Sequence, residues 1–522
     1  MPKQELTYAQ IIAAAAKKVM AMALQALRKK TAAIAAWFAV PKSRGRKAAE
    51  IAVWSAIVFF LFFGHRIYSN HGSFSYWWDC LSAALPYHSL DYSLGFIPRT
   101  LSGQILTFFA GPMLTGQDAA VYLFTVHIIT YGLFSAVMGT MIEKAFRTRN
   151  YLMGFFSLLI IFAPSSIWYS ALYHYVTYDV LMLLFSLIAF LLIRSGSEKF
   201  MWFVPACVCL GILANPTYML FFFPLVFALL YYEFIKSVRK RTRLSNLIVT
   251  TASSFALQIY MLWTIFNDKQ VGKHSQAEAI AYIERKIGYT LSALDYWAIS
   301  FTTFGTDSSG TSMAPEYTTP WSDWSGWFKP MNFLIALAIG LPILIFTLAV
   351  WRKLAEGEKG FWRKSPYFLF MIAPLTLFPF HLVITDLDRL VWSILMTQVL
   401  LLAYVFIADG QGEAFARLRR ISAGKKGWLA FILLLLGVVI PLIVFSDWQW
   451  LSPLRYASHL PWGDDINTIL DLLADTQWTG THSAYFLAQV LLLAHVLIAG
   501  GQEKAFARLK GIAAKKKEGR LE

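Results

Sequence analysis

The feature that most constrains this chain is the recurrence of long apolar segments from about residue 49 to residue 502. They are centred near Val58, Ile129, Leu159, Leu187, Val208, Leu225, Leu257, Ala338, Ile372, Gln398, Leu434 and Leu491. Each is roughly long enough to cross about 30 Å of hydrocarbon, some only with flanking residues included. Backbone polar groups in lipid must be satisfied within the segment, so the expected fold is an all-α polytopic membrane protein of about twelve transmembrane helices. Composition agrees, because only 15% of residues are charged and 57% are hydrophobic, whereas a soluble domain carries about 25% charge. No long polar linker separates the segments, so residues 49–502 read as one transmembrane domain.

The formal net charge of +16 is not a nucleic-acid signal. Lys and Arg fall in short clusters at the ends of apolar segments, where they set orientation and meet anionic lipid. Residues 1–48 hold an Ala-rich stretch from Tyr8 to about Val40 broken by Lys17, Lys18, Arg28, Lys29 and Lys30, which fits an amphipathic helix lying in the membrane interface. Lys42, Arg44, Arg46 and Lys47 then precede the first span and assign this end to the cytoplasm. A basic leader of this length does not fit a cleaved signal peptide. Even-numbered spans should emerge beside cations, and they do, at Lys144/Arg147/Arg149, Arg194/Lys199, Lys236/Arg239, Arg352/Lys353, Arg417/Arg419 and Lys515/Lys516. Both termini are therefore expected in the cytoplasm, with residues 503–522 as a basic tail. The predicted location is a bacterial-type inner membrane. The three cysteines, Cys80, Cys207 and Cys209, form no disulfide framework or metal motif.

This topology leaves long outer loops at about 65–117, 267–330 and 445–483. Such loops are usually functional or disordered, and these are too rich in Trp, Tyr, His and Asp for disorder. The first supplies Asp79, His88, Asp91 and Arg99, followed by an amphipathic run from Thr100 to Leu114 that predicts a helix along the outer membrane surface. His174, Tyr175, Tyr178 and Asp179 lie at the same level between the third and fourth spans, and His381, Asp386, Asp388 and Arg389 gather after the ninth in PFHLVITDLDRLVW. Ionisable groups at that depth are a functional hypothesis by default. Each also has a plainer reading. Asp91 and Arg99 can shape the loop, Trp77 and Trp78 beside Asp79 fit an interfacial belt, and the histidines can be satisfied interfacial groups. Asp386 and Asp388 have the spacing of a divalent-cation pair, although Arg389 can simply neutralise them; no cofactor is assigned, and a divalent metal stays an open alternative.

Outward-facing carboxylates and cations without a nucleotide-binding loop suit a substrate that arrives through the bilayer. A long acidic first outer loop, the surface helix after it, many spans and further polar outer loops resemble the GT-C glycosyltransferase superfamily, a likeness that covers most of the chain by layout. The resemblance implies transfer of a sugar from a polyprenyl-phosphate donor to a glycan, lipid or protein acceptor on the non-cytoplasmic face. It also implies an acidic residue of the first outer loop as general base, matched here by Asp91 or Asp79. These stand well apart rather than as the adjacent acids often seen in that superfamily. Arg99 and Arg389 would bind the lipid phosphate, helped by His381, with Asp388, Asp386, His174, Asp179 and His88 in support. Membrane lipids are expected partners and nucleic acid is not. Two alternatives use the same substrates: a transporter or flippase of lipid-linked saccharides, and an undecaprenyl-linked glycan polymerase or ligase. Charges buried mid-span would favour the first, and an arginine-rich outer loop the second.

Overall fold

The computed structural model describes residues 44–60, 74–94, 99–150, 152–154, 156–157, 178–240, 244–267, 276–291, 330–373, 387–409 and 415–416. The leader before residue 44, most of the span centred on Leu159, the spans centred on Leu434 and Leu491, the 445–483 loop and the basic tail lie outside them. The described residues are helical and include no strand. In chain order the principal helices are α1 (Arg44–Phe59), α2 (Phe74–Ala83), α3 (Thr100–Ala110), α4 (Gly116–Arg147), α5 (Asp179–Ser195) and α6 (Val204–Ala214). They continue with α7 (Phe223–Lys240), α8 (Leu244–Asn267), α9 (Gln276–Ile287), α10 (Pro330–Gly357), α11 (Phe361–Ile372) and α12 (Leu387–Asp409).

Among the described residues one helix, α4, is long and apolar enough to cross a membrane. Its first turn is fixed by a capping box: the Thr115 hydroxyl accepts from the Asp118 N–H, and the Asp118 carboxylate accepts from the Thr115 N–H at 2.9 Å. Lys144 and Arg147 sit in its last turn, where cations suit the negative end of the helix dipole. The helix around Val208 is shorter than the apolar run predicts. It covers 11 residues, about 16 Å at 1.5 Å per residue, because Asn215 takes an extended conformation and its Oδ1 accepts from the Thr217 N–H at 3.1 Å. Asn215-Pro216 is thus the turn that the sequence suggests.

α4 packs against α1, α2, α5 and α12. Gly139 makes the α1 contact possible, since a Cβ there would fall 2.4 Å from Ser55 Oγ and 2.7 Å from its backbone nitrogen. The stretch from Leu395 to Phe406 in α12 is buried on every side, as expected of a helix apolar all round. Its one amide there is bonded at both ends: Gln398 accepts from Trp351 Nε1 and donates to the Phe370 carbonyl, both at 2.7 Å, tying α10, α11 and α12 together. Such links between helices contribute about 1 kcal/mol in an apolar surrounding.

The two ends of the bundle carry different chemistry. At the C-terminal ends of α4, α5, α7 and α12, Lys144 and Arg194 donate to the Ile407 carbonyl at 2.7 and 3.1 Å, and Lys236 pairs with Asp409 at 3.1 Å. At the opposite end, beside the first turns of α4 and α5, lies a separate lobe with its own apolar core. Leu85, Leu90, Leu106 and Leu114 from the first predicted outer loop pack there on Ala279, Ile280, Ile283 and Ile287 of α9.

Candidate functional site

The lobe is built from two loops that the sequence assigns to one side of the bilayer. In α9, Ala279, Ile280, Ile283 and Ile287 form an apolar stripe, and Tyr282 and Lys286, four residues apart, lie along its edge. Docking that stripe carries Tyr282 and Lys286 onto the turn at Asp91. The turn lies unusually close to α3, and Gly103 is the reason: a Cβ there would sit 1.9 Å from the Leu90 carbonyl oxygen.

Asp91 and Lys286 meet at 2.5 Å with 2% and 3% of their side chains exposed. All three ammonium protons of Lys286 have acceptors, namely Asp91 Oδ2, the Ser89 carbonyl at 2.9 Å and Thr107 Oγ1 at 2.6 Å. The carboxylate also accepts from the Tyr282 hydroxyl, 2.9 Å from each oxygen, and from the Ser93 N–H at 2.9 Å. Burial pushes the Asp91 carboxyl upward, but the hydrogen bonds from Lys286, Ser93 and Tyr282 outweigh it and hold the pKa at about 2. Burial and then the adjacent carboxylate push the Tyr282 phenol up, so it stays a donor at neutral pH. The arrangement is a satisfied ion pair joining two distant stretches of chain. A carboxylate so held is a poor proton acceptor at neutral pH.

A second network lies between this lobe and the first turns of α4 and α5. Ser102 Oγ donates to Tyr122 at 3.0 Å, so the contact of His88 Nδ1 with Ser102 Oγ at 2.7 Å has the imidazole as donor. Tyr178 donates to the Tyr87 carbonyl, His88 meets its ring edge-on at 5.0 Å, and the Arg99 guanidinium stands 5.8 Å from its centroid. His88, Ser102, Tyr122, His127 and Tyr178 line a small cavity here.

The sequence-predicted residues therefore divide. His88 and Arg99 come together around Tyr178. Asp91 belongs to a separate cluster, and its charge partner is Lys286 rather than Arg99. Asp79 is exposed on α2, beside Trp78, whose indole N–H donates to Gln117 at 3.1 Å. Asp179 is buried in the first turn of α5, where a negative charge suits the helix dipole. Asp388 and Arg389 fall in the first turn of α12, but their side chains lie outside the described residues, as do His174, His381 and Asp386 entirely. Among the described residues no group of three or more His, Cys, Asp and Glu side chains gathers as metal ligands. The run from Thr100 does form a helix, α3, which ends at Ala110 and leaves Phe108 and Phe109 exposed.

Sequence reasoning missed Tyr282 and Lys286. The signal was the helical spacing of Ala279, Ile280, Ile283 and Ile287 with a lysine at the edge of the stripe, a placement that calls for a buried counter-charge elsewhere. No known protein family, characterised protein or solved structure matches the chain.

Proposed function

We propose that this chain is a multi-span membrane enzyme that transfers a sugar from a polyprenyl-phosphate donor to a glycan, lipid or protein acceptor on the non-cytoplasmic face. The observation that carries the reading is the joining of the Asp91 turn, Tyr178 and α9 into one ordered polar lobe at a single end of the bundle. These come from three segments that the charge pattern independently assigns to the outer side. The exposed rings of Phe108 and Phe109 support α3 as an interfacial helix beside that lobe.

Within this reading the base is Asp79. Of the two matching acids it is the exposed one, whereas Asp91 is held by Lys286, Tyr282, Ser93 and, at 3.2 Å, Thr107 and serves as a positioning residue. The acceptor hydroxyl gives its proton to Asp79 as its oxygen attacks the anomeric carbon, and the bond from that carbon to the phosphate oxygen breaks. Arg99 and Arg389 compensate the charge of the departing polyprenyl phosphate. A flippase would call for charges at mid-span. The charged side chains of the described bundle helices instead stand within about two turns of a helix end.

The experiment uses purified protein in vesicles with a panel of short-chain polyprenyl-phosphate hexoses and pentoses, and measures release of polyprenyl phosphate. The reading expects release with at least one donor, abolished by Asp79→Asn in a protein of unchanged thermal stability. No release with any donor in the presence of membrane-extract acceptors would overturn it.

A further inference from the structure

Among the described residues, the end of the bundle opposite the lobe holds more cations than acids. Arg147 is paired with Glu143 at 3.0 Å and Lys236 with Asp409 at 3.1 Å. Lys144 and Arg194 form no ion pair among the described residues; both instead point at one backbone oxygen, that of Ile407 in the last turn of α12. Lys47 lies within electrostatic reach of Lys144, as do Arg147, Arg194 and the opposing Asp409, and α1 is held there by the stacking of Trp54 on Phe146 at 5.6 Å. Four helix ends, the N-terminus of α1 and the C-termini of α4, α5 and α12, thus bring Lys47, Lys144 and Arg194 to one place. The carbonyl end of α12 supplies about half a negative charge; of the nearby carboxylates Glu143 pairs with Arg147, Asp409 with Lys236, and Glu233 accepts from Tyr404, which leaves the cations in excess.

The surroundings say what would neutralise the rest. Arg194 is exposed, and just beyond it Phe200, Trp202 and Phe203 are 50%, 52% and 59% exposed, next to Lys199. Exposed aromatic rings beside basic residues at a helix end are the pattern of a bilayer interface, where phosphate groups lie. We infer that Lys144 and Arg194, with Lys47, form a binding site for a phosphate monoester or diester group, supplied by the head group of an anionic phospholipid. Arg194 would meet the phosphate oxygens with its planar fork while Lys144 acts as a point charge behind it. The site is distinct from the outer lobe and makes no use of the transfer reaction. Its lipid source rests on the membrane reading, whereas its affinity for phosphate does not.

The test measures thermal unfolding and lipid binding by native mass spectrometry on the full-length protein in detergent. The additions are phosphatidylcholine, phosphatidylglycerol or inorganic phosphate. Phosphatidylglycerol should bind more tightly than phosphatidylcholine and raise the midpoint further, and millimolar phosphate should compete with it. Each cation removed should weaken phosphatidylglycerol binding about fivefold, so Lys144→Gln with Arg194→Gln should weaken it about twenty-five-fold and leave phosphatidylcholine binding unchanged. If the double variant does not fold, Arg194→Gln alone, at an exposed position, carries the same comparison. Equal binding of the two lipids by the wild type with no binding of inorganic phosphate, or undiminished preference in either variant, would overturn the site. Binding of inorganic phosphate without preference between the lipids would overturn the lipid assignment alone.

Discussion

Lys286 stands 195 positions from Asp91 in the chain and 2.5 Å from it in the fold, so one ion pair closes the lobe across nearly two-fifths of the sequence. The partners come from different segments of the chain, and neither is exposed.

Breaking this pair from one side should be costly. In Lys286→Met the carboxylate keeps Tyr282 and Ser93 but loses its counter-charge, and an uncompensated buried charge of this kind costs about 3 kcal/mol. Asp91→Leu leaves the ammonium with only the Ser89 carbonyl and Thr107, with a similar cost. The double variant removes both charges, so thermal unfolding should show it destabilised by at least about 1 kcal/mol less than the two singles added together. Strict additivity would mean that the two groups do not interact.

The same pair fixes a pH dependence. The Asp91 pKa in the fold, about 2, lies below its ordinary value of 3.8. The unfolded chain therefore takes up the proton first as pH falls, and the stabilisation is complete above pH 4 and lost between about 4 and 2. It amounts to about 2 kcal/mol. Unfolding midpoints of wild type and Asp91→Asn should accordingly stand apart at pH 7 and converge toward pH 2. A gap that persists at pH 2 would assign the effect to packing.

How much of this could be read from the sequence follows from range. Apolar periodicity is local, so α4 with its basic C-terminal turn and the helix from Thr100 were legible, the latter to within about a turn of its end. The segment at Tyr178 does meet His88 and Arg99, a convergence that the sequence allows without fixing it. The partner of Asp91 was not legible. Arg99 is near in sequence, but it starts α3 in a left-handed conformation and its guanidinium lies over Tyr178. Lys286 becomes the partner only once α9 has docked its isoleucines on Leu85 and Leu106. Pairing chosen by hydrophobic docking leaves no trace in local spacing.

Gly103 tests that docking from the other side. In Gly103→Ala the new methyl would overlap the Leu90 carbonyl, and the turn must move away from α3, at a cost of about 2 kcal/mol. Hydrogen exchange across 85–94 should quicken and the Asp91–Lys286 contribution should fall with it. Gly132→Ala, where nothing stands within 4 Å, is the control, and a helical Gly→Ala change there should stabilise slightly. Equal behaviour of the two variants would show that the close approach is unimportant.

Arg99→Gly separates structure from chemistry at the proposed phosphate site. Arg99 has φ 71°, a conformation that costs an L side chain about 1–2 kcal/mol and a glycine almost nothing. Against that relief stand the greater freedom of glycine in the unfolded chain, about 0.4–1 kcal/mol, and loss of the cation over Tyr178, about 0.5–1 kcal/mol. The terms nearly cancel, so thermal stability should change by less than about 1 kcal/mol. Any large fall in polyprenyl phosphate release then reports a lost contact with the donor rather than unfolding. The proposal expects at least a tenfold fall, equivalent to about 1.4 kcal/mol. It also expects partial recovery in Arg99→Lys, which restores the charge without the planar fork. Full release by Arg99→Gly would remove Arg99 from the donor site and leave it as a residue that only orders the start of α3.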